Sequence, residues 1–177
     1  GNEWDDPELS GDRLEELIEV FERAVVFAEH SSAVGKPTQH FEPNLANQDE
    51  ILLEALAPAV TGDMPVFFSV HSERDIKTLL LFLDEFSEMR GVIVGGEQAF
   101  RVAEELAIRD IPVIVGSVLS PTADRDDPVS AAWSNAGILH EAGVKVSFGT
   151  NEIAQVRNLP YFAAKSVAFG LPRAIGL

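Results

Sequence analysis

His71 closes the apolar run Pro65-Val-Phe-Phe-Ser-Val-His71. An imidazole at the end of a strand can ligate a metal or act as a general base near neutral pH. Three further sites could carry chemistry. Gly95-Gly96-Glu97 joins a strand to a helix, where backbone amides could hold an anion. The turn has neither the spacing G-x-G-x-x-G nor a P-loop lysine, so it reads as a tight strand-to-helix connection. Asp124-Arg125-Asp126-Asp127 has the composition of a cation site but lacks the glycine and distant glutamate of an EF-hand. It reads as a solvated loop over a sheet rim. Asn151 and Glu152 follow the last strand, and a carboxylate there could serve as acid, base or ligand. Ser69, Ser72, Ser117 and Ser120 form no G-x-S-x-G elbow, which argues against a serine hydrolase. His30, His40 and His140 belong to helices or a loop and are expected to face solvent.

These residues are positioned by alternating strand and helix signals from Met64 onward. Strand signals at Pro65–Val70, Gly91–Val94, Pro112–Val115 and Val144–Phe148 are followed by helical patterns at Glu73–Ser87, Glu97–Ile108, Val129–Ala142 and Pro160–Phe169. Gly143 marks a helix end, and Leu171-Pro172 breaks the last helix. Four βα units in tandem predict an α/β fold with parallel strands. In such a sheet the strand ends share one rim, gathering His71, Gly95, Gly96, Ser117 and Asn151. Upstream, Leu14, Leu17, Ile18, Phe21, Val25 and Ala28 form the stripe of an amphipathic helix over Arg13–His30. A loop rich in Pro and Asn follows, then a shorter helix from Gln48 that Pro58 should end. The expected division is therefore an acidic helical segment, 1–62, and a (βα)4 segment, 63–177.

Composition bounds the function classes. Of 177 residues, 46% are hydrophobic, enough for a substantial core. The net charge of −16 disfavours nucleic acid and anionic membrane surfaces, both of which reward Lys and Arg. Residues 1–62 hold 14 acids against three basic residues, which suits a solvated, solubilising face. No apolar run approaches the ~20 residues that span a bilayer. With no cysteine, disulfides, thiolate metal sites and a cysteine nucleophile are excluded. The start, Gly1-Asn2-Glu3-Trp4, has neither the basic nor the apolar segment of a signal peptide, and the compartment stays open.

Several phrases, taken in order, resemble the second half of an amidohydrolase-superfamily barrel of the imidazolonepropionase-like kind. They are Pro65-Val-Phe-Phe-Ser-Val-His-Ser-Glu-Arg-Asp-Ile76, Val92-Ile-Val-Gly-Gly-Glu-Gln-Ala99, Ile111-Pro-Val-Ile-Val-Gly116, Leu139-His-Glu-Ala-Gly-Val-Lys-Val146 and Asn158-Leu-Pro-Tyr-Phe-Ala-Ala164. The resemblance spans residues 64–172 and implies strands five to eight of a TIM-type metallo-hydrolase barrel. It implies hydrolysis of C–N bonds, often in cyclic amides, by water activated on zinc or another divalent metal. His71 then stands at the strand-five metal-ligand position. The strand-six histidine position holds Gly95, and the strand-eight aspartate position holds Asn151. Glycine offers no ligand and a neutral amide no carboxylate, so weak or lost metal catalysis is expected. Gly95, Gly96, Ser117 and Asn151 remain as candidate contacts for a small-molecule substrate.

Two other readings stay open. One is a non-catalytic α/β half-barrel that binds a ligand or partner chain across its open face. The other is a small flavodoxin-like domain. A half-barrel would expose two sheet edges and an apolar inner layer, so a homo-oligomer or a missing barrel half is the expected partner.

Overall fold

The computed structural model describes residues 11–34, 48–116, 118–119, 126–150 and 153–176. The chain divides into two compact units, Gly1–Pro65 with Phe86–Met89, and Val66–Glu85 with Arg90–Leu177.

In the first unit, helices α1 (Gly11–Val34) and α2 (Gln48–Val60) pack on each other. Phe21, Ala24 and Ala28, at the three- and four-residue steps of the apolar stripe, are buried. The Phe21 ring lies 5.8 Å from that of Phe86, and Arg23 reaches Asp49 at 3.2 Å. Pro58 does not end α2 as the sequence suggests; it sits inside the helix, which runs on to Val60. Near a C-terminus a proline forfeits only its own amide bond, and the following turn is secured separately. Thr61 N–H donates to the Ala57 carbonyl and Met64 N–H to the Pro58 carbonyl.

The second unit contains the four tandem βα units. Strands β1 (Val66–Val70), β2 (Gly91–Gly95), β3 (Val113–Val115) and β4 (Val146–Phe148) form one sheet in that order, all parallel. The intervening helices are α3 (Glu73–Glu85), α4 (Ala103–Ile108), α5 (Ala131–Glu141) and α6 (Leu159–Ala168). Short 3-10 turns at Ala99–Val102 and Ile153–Asn158 lead into α4 and α6, and a one-turn α7 (Arg173–Gly176) follows. The 3-10 turn takes the first half of the helix expected over Glu97–Ile108.

Strand order decides between two α/β architectures. A doubly wound sheet reverses direction at a switch point and carries helices on both faces. Here the order never reverses, so right-handed crossovers stack every helix on the same face. The neighbours pack accordingly: α3 on the Ala99–Val102 turn, α4 on α5, α5 on α6. This is the curvature of a partial barrel, and it sets aside the flavodoxin-like alternative.

The pairing register separates the two sheet faces. Phe68, Ile93, Val113 and Val146 lie in one row, and Val70, Gly95, Val115 and Phe148 in the next. These rows face the helices. The Phe68 ring meets Phe82 of α3 edge-on at 6.0 Å, and Ile93 and Val113 are almost wholly buried. The alternate positions, Phe67 and Val92 in one row and Ser69, Val94, Ile114 and Ser147 in the next, form the opposite face. That face is less covered: Phe67 is 59% exposed.

Candidate functional site

The carboxyl ends of β1 and β2 bring His71 and Glu97 together. His71 Nδ1 lies 2.6 Å from Glu97 Oε2, in a half-exposed pair. A carboxylate only accepts, so Nδ1 carries the shared proton, and in the neutral ring Nε2 is then the acceptor. On that side Nε2 lies 3.4 Å from the Ser69 hydroxyl. Ser69 and His71 are two residues apart, Ser69 on the exposed face of β1 and His71 directly after the strand's end.

The backbone around the pair is pinned. Gly96 N–H donates to the Val70 carbonyl at 2.8 Å and Gln98 N–H to the His71 carbonyl at 3.0 Å. Gly95 and Gly96 have φ of 100° and 58°, conformations that L side chains rarely adopt. These two glycines turn the chain sharply enough to deliver Glu97 back towards β1. Gly95 has a second reason to be glycine: a Cβ there would lie 2.5 Å from His71 Nδ1. The imidazole thus occupies the space above the Gly95 backbone that a side chain would fill. The Gly95-Gly96-Glu97 segment is the tight strand-to-helix turn read from the sequence.

Further hydrogen bonds support the turn. Asn135 of α5, only 1% exposed, donates from Nδ2 to the Gly96 carbonyl at 2.8 Å. Among the described residues its Oδ1 has no partner, and Asn135, Glu97 and Gly116 border a cavity of about 10 Å³. Gln98 accepts from the Glu73 amide at 2.9 Å and donates to Asp127 at 3.1 Å. Arg101 donates to the same carboxylate, with Nε at 3.0 Å. Asp127 is therefore buried and paired, not part of a solvated loop as its composition suggests. Its charge is accommodated because the guanidinium and the Gln98 amide replace the water that burial removes. Glu73 closes the network through Lys77 at 2.7 Å and Arg101 at 3.5 Å. The hydrogen bond from Lys77, with the nearby charge of Arg101, holds the Glu73 carboxyl below its usual range.

Of the residues expected at the rim, His71, Gly95 and Gly96 stand together at the ends of β1 and β2. Ser117 and Asn151 lie outside the described residues, as do His40, Ser120, Asp124, Arg125 and Glu152. His30 is exposed and bonded through Nδ1 to the Val26 carbonyl at 2.7 Å, and His140 is half-buried. The sequence does not by itself pair Glu97, Asn135 or Asp127 with any other residue. Two consecutive glycines before a carboxylate, directly after a strand, were the one signal for Glu97. Nothing local marks Asn135, whose partner is 39 positions away.

Among the described residues the donor set falls short of the catalytic zinc site that the family resemblance implies. Such a metal takes about three protein ligands. Gly95, which the resemblance puts at a ligand position, has no side chain and lies under the His71 ring. Among the described residues no group of three or more His, Asp or Glu side chains could hold a metal ion.

The fold places the chain among known proteins more clearly than the sequence does. No family model matches it, and no curated protein does. Among solved structures it is similar to an amidohydrolase from Thermotoga maritima, with a TM-score of 0.67 and 19% sequence identity. The alignment covers 92% of this chain and 41% of that one, so this chain spans less than half the length of the protein it matches. The second unit thus has the fold of part of an amidohydrolase-like barrel.

Proposed function

We propose that residues 63–177 are the strand-five-to-eight portion of an amidohydrolase-like barrel, that its rim binds a small molecule, and that metal-assisted hydrolysis of non-peptide C–N bonds is weak or lost. One observation carries this reading. At the rim position where the family would present a second imidazole, the chain has Gly95, and the His71 ring fills the space above it. His71 keeps its place at the strand-five ligand position but directs Nδ1 to Glu97. Gly95, Gly96, Ser117 and Asn151 are the contacts proposed for the ligand.

The non-catalytic alternative, a half-barrel that binds a partner chain, is favoured by the exposure of Phe67 on the face opposite the helices. Metal content and turnover test the loss of metal catalysis that the first reading states. Purified protein is dialysed against zinc, its metal content measured, and hydrolysis of a cyclic amide such as hydantoin followed with and without the metal. Sub-stoichiometric zinc and little or no zinc-dependent turnover are expected. One zinc per chain, removed by His71→Ala and accompanied by zinc-dependent hydrolysis, would overturn the proposal.

A further inference from the structure

We propose that Ser69, His71 and Glu97 form a nucleophilic relay for acyl transfer, with activated esters as its substrate class. The three groups stand in the order such a relay needs. Glu97 Oε2 is 2.6 Å from His71 Nδ1, and His71 Nε2 is 3.4 Å from Ser69 Oγ. The carboxylate fixes the tautomer, leaving the Nε2 lone pair directed at a hydroxyl that is exposed on the face opposite the helices. The missing G-x-S-x-G elbow does not bear on this geometry. An elbow raises a serine out of a turn, whereas here strand alternation and the residue after the strand put hydroxyl and imidazole side by side.

The relay is also held in place. The two backbone bonds between the strand ends fix the separation of His71 and Glu97. The bare Gly95 backbone leaves room for the ring, which lies where a Cβ would come within 2.5 Å of Nδ1. Phe67, one alternate position before Ser69, gives the same face an exposed aromatic surface, against which an aryl or alkyl group would lie.

In the reaction, Ser69 Oγ gives its proton to His71 Nε2 and bonds to the ester carbonyl carbon. The bond from that carbon to the leaving oxygen breaks, and the leaving group takes the proton from the imidazolium. Water, deprotonated by the same nitrogen, then cleaves the acyl-serine. The sum is ester plus water to acid plus alcohol. This chemistry is independent of the metal-dependent reaction and of any cyclic-amide ligand.

The test uses the whole chain with p-nitrophenyl acetate and a fluorophosphonate. A burst of p-nitrophenol and a single phosphonyl adduct on Ser69 are expected, read by stopped flow and by mass mapping. Ser69→Ala abolishes both, and His71→Ala slows labelling by about 10²–10⁴-fold. Ser69→Cys supplies a second measurement that does not depend on those variants folding. The chain has no other cysteine, so alkylation by iodoacetamide reports this position alone. Its rate should rise at a pH well below the ~8.5 of a free thiol. No adduct on the wild-type chain, an adduct that survives Ser69→Ala, or a Ser69→Cys profile centred at the free-thiol value would overturn the proposal.

Discussion

Gly95 is where backbone conformation and site chemistry meet. An alanine there would have to adopt φ near 100° and place a methyl 2.5 Å from His71 Nδ1. Backbone strain of this kind costs on the order of 1–3 kcal/mol, and the clash is with a ring that is itself hydrogen-bonded. Gly95→Ala should therefore lower the unfolding midpoint and break the His71–Glu97 bond. The second effect is visible as loss of the low-field Nδ1 proton resonance. An alanine variant with unchanged stability and an intact resonance would show that the ring does not rest on this glycine.

At the scale of elements, ion pairs couple helices that the sheet only aligns. Arg109, just past α4, grips Asp84 of α3 with two hydrogen bonds of 2.8 Å each. That contact holds the Asp84 carboxyl below its ordinary value and the Arg109 guanidinium above its own. Glu73 is lowered likewise by Lys77. A carboxyl whose folded value is depressed binds its proton less readily folded than unfolded. Its contribution is complete above the ordinary carboxylate range and disappears as pH falls through the lowered value. Both pairs are solvent-exposed enough for salt to weaken them. Thermal midpoints should thus fall on acidification, and Arg109→Ala should lower the midpoint near neutrality while changing little at low pH, which flattens the acid limb. An identical acid limb in the variant would count against the pair.

For the whole molecule, the open question is what meets the face opposite the helices. In the sheet of described strands β1 pairs only with β2, and β4 only with β3. An eight-stranded barrel would continue both edges. Phe67, Val92, Val94 and Ile114 on the same face would then become interior. Association through this surface should fall in Phe67→Glu, measured as a smaller weight-average mass in sedimentation equilibrium over a range of concentrations. A wild-type chain that stays monomeric at every concentration would remove the homo-oligomer from the expected partners. No described helix is long and apolar enough to cross a membrane, and the net charge of −16 gives phosphate-rich partners little to bind.

The tandem βα order was legible in the sequence because hydrophobic period and chain punctuation are local. Val92-Ile-Val-Gly-Gly96 announces a strand and its turn without reference to any other residue. The amphipathic stripe ending in Ala28 does the same for α1. The family phrases extended this to a parallel half-barrel, and the observed strand order agrees. Other features depended on residues remote in sequence. Asp127 sits in a stretch that reads as solvated, and only the approach of Arg101 and Gln98 makes its burial tolerable. His71 looked like a ligand without companions because its companion, Glu97, lies 26 positions away. The register of β1 on β2 and two left-handed glycines decide that meeting. Sequence determined which rim would carry the imidazole and that a hydroxyl stands two residues before it; tertiary structure decided that it faces a carboxylate, because that distance is set by the pairing of β1 with β2.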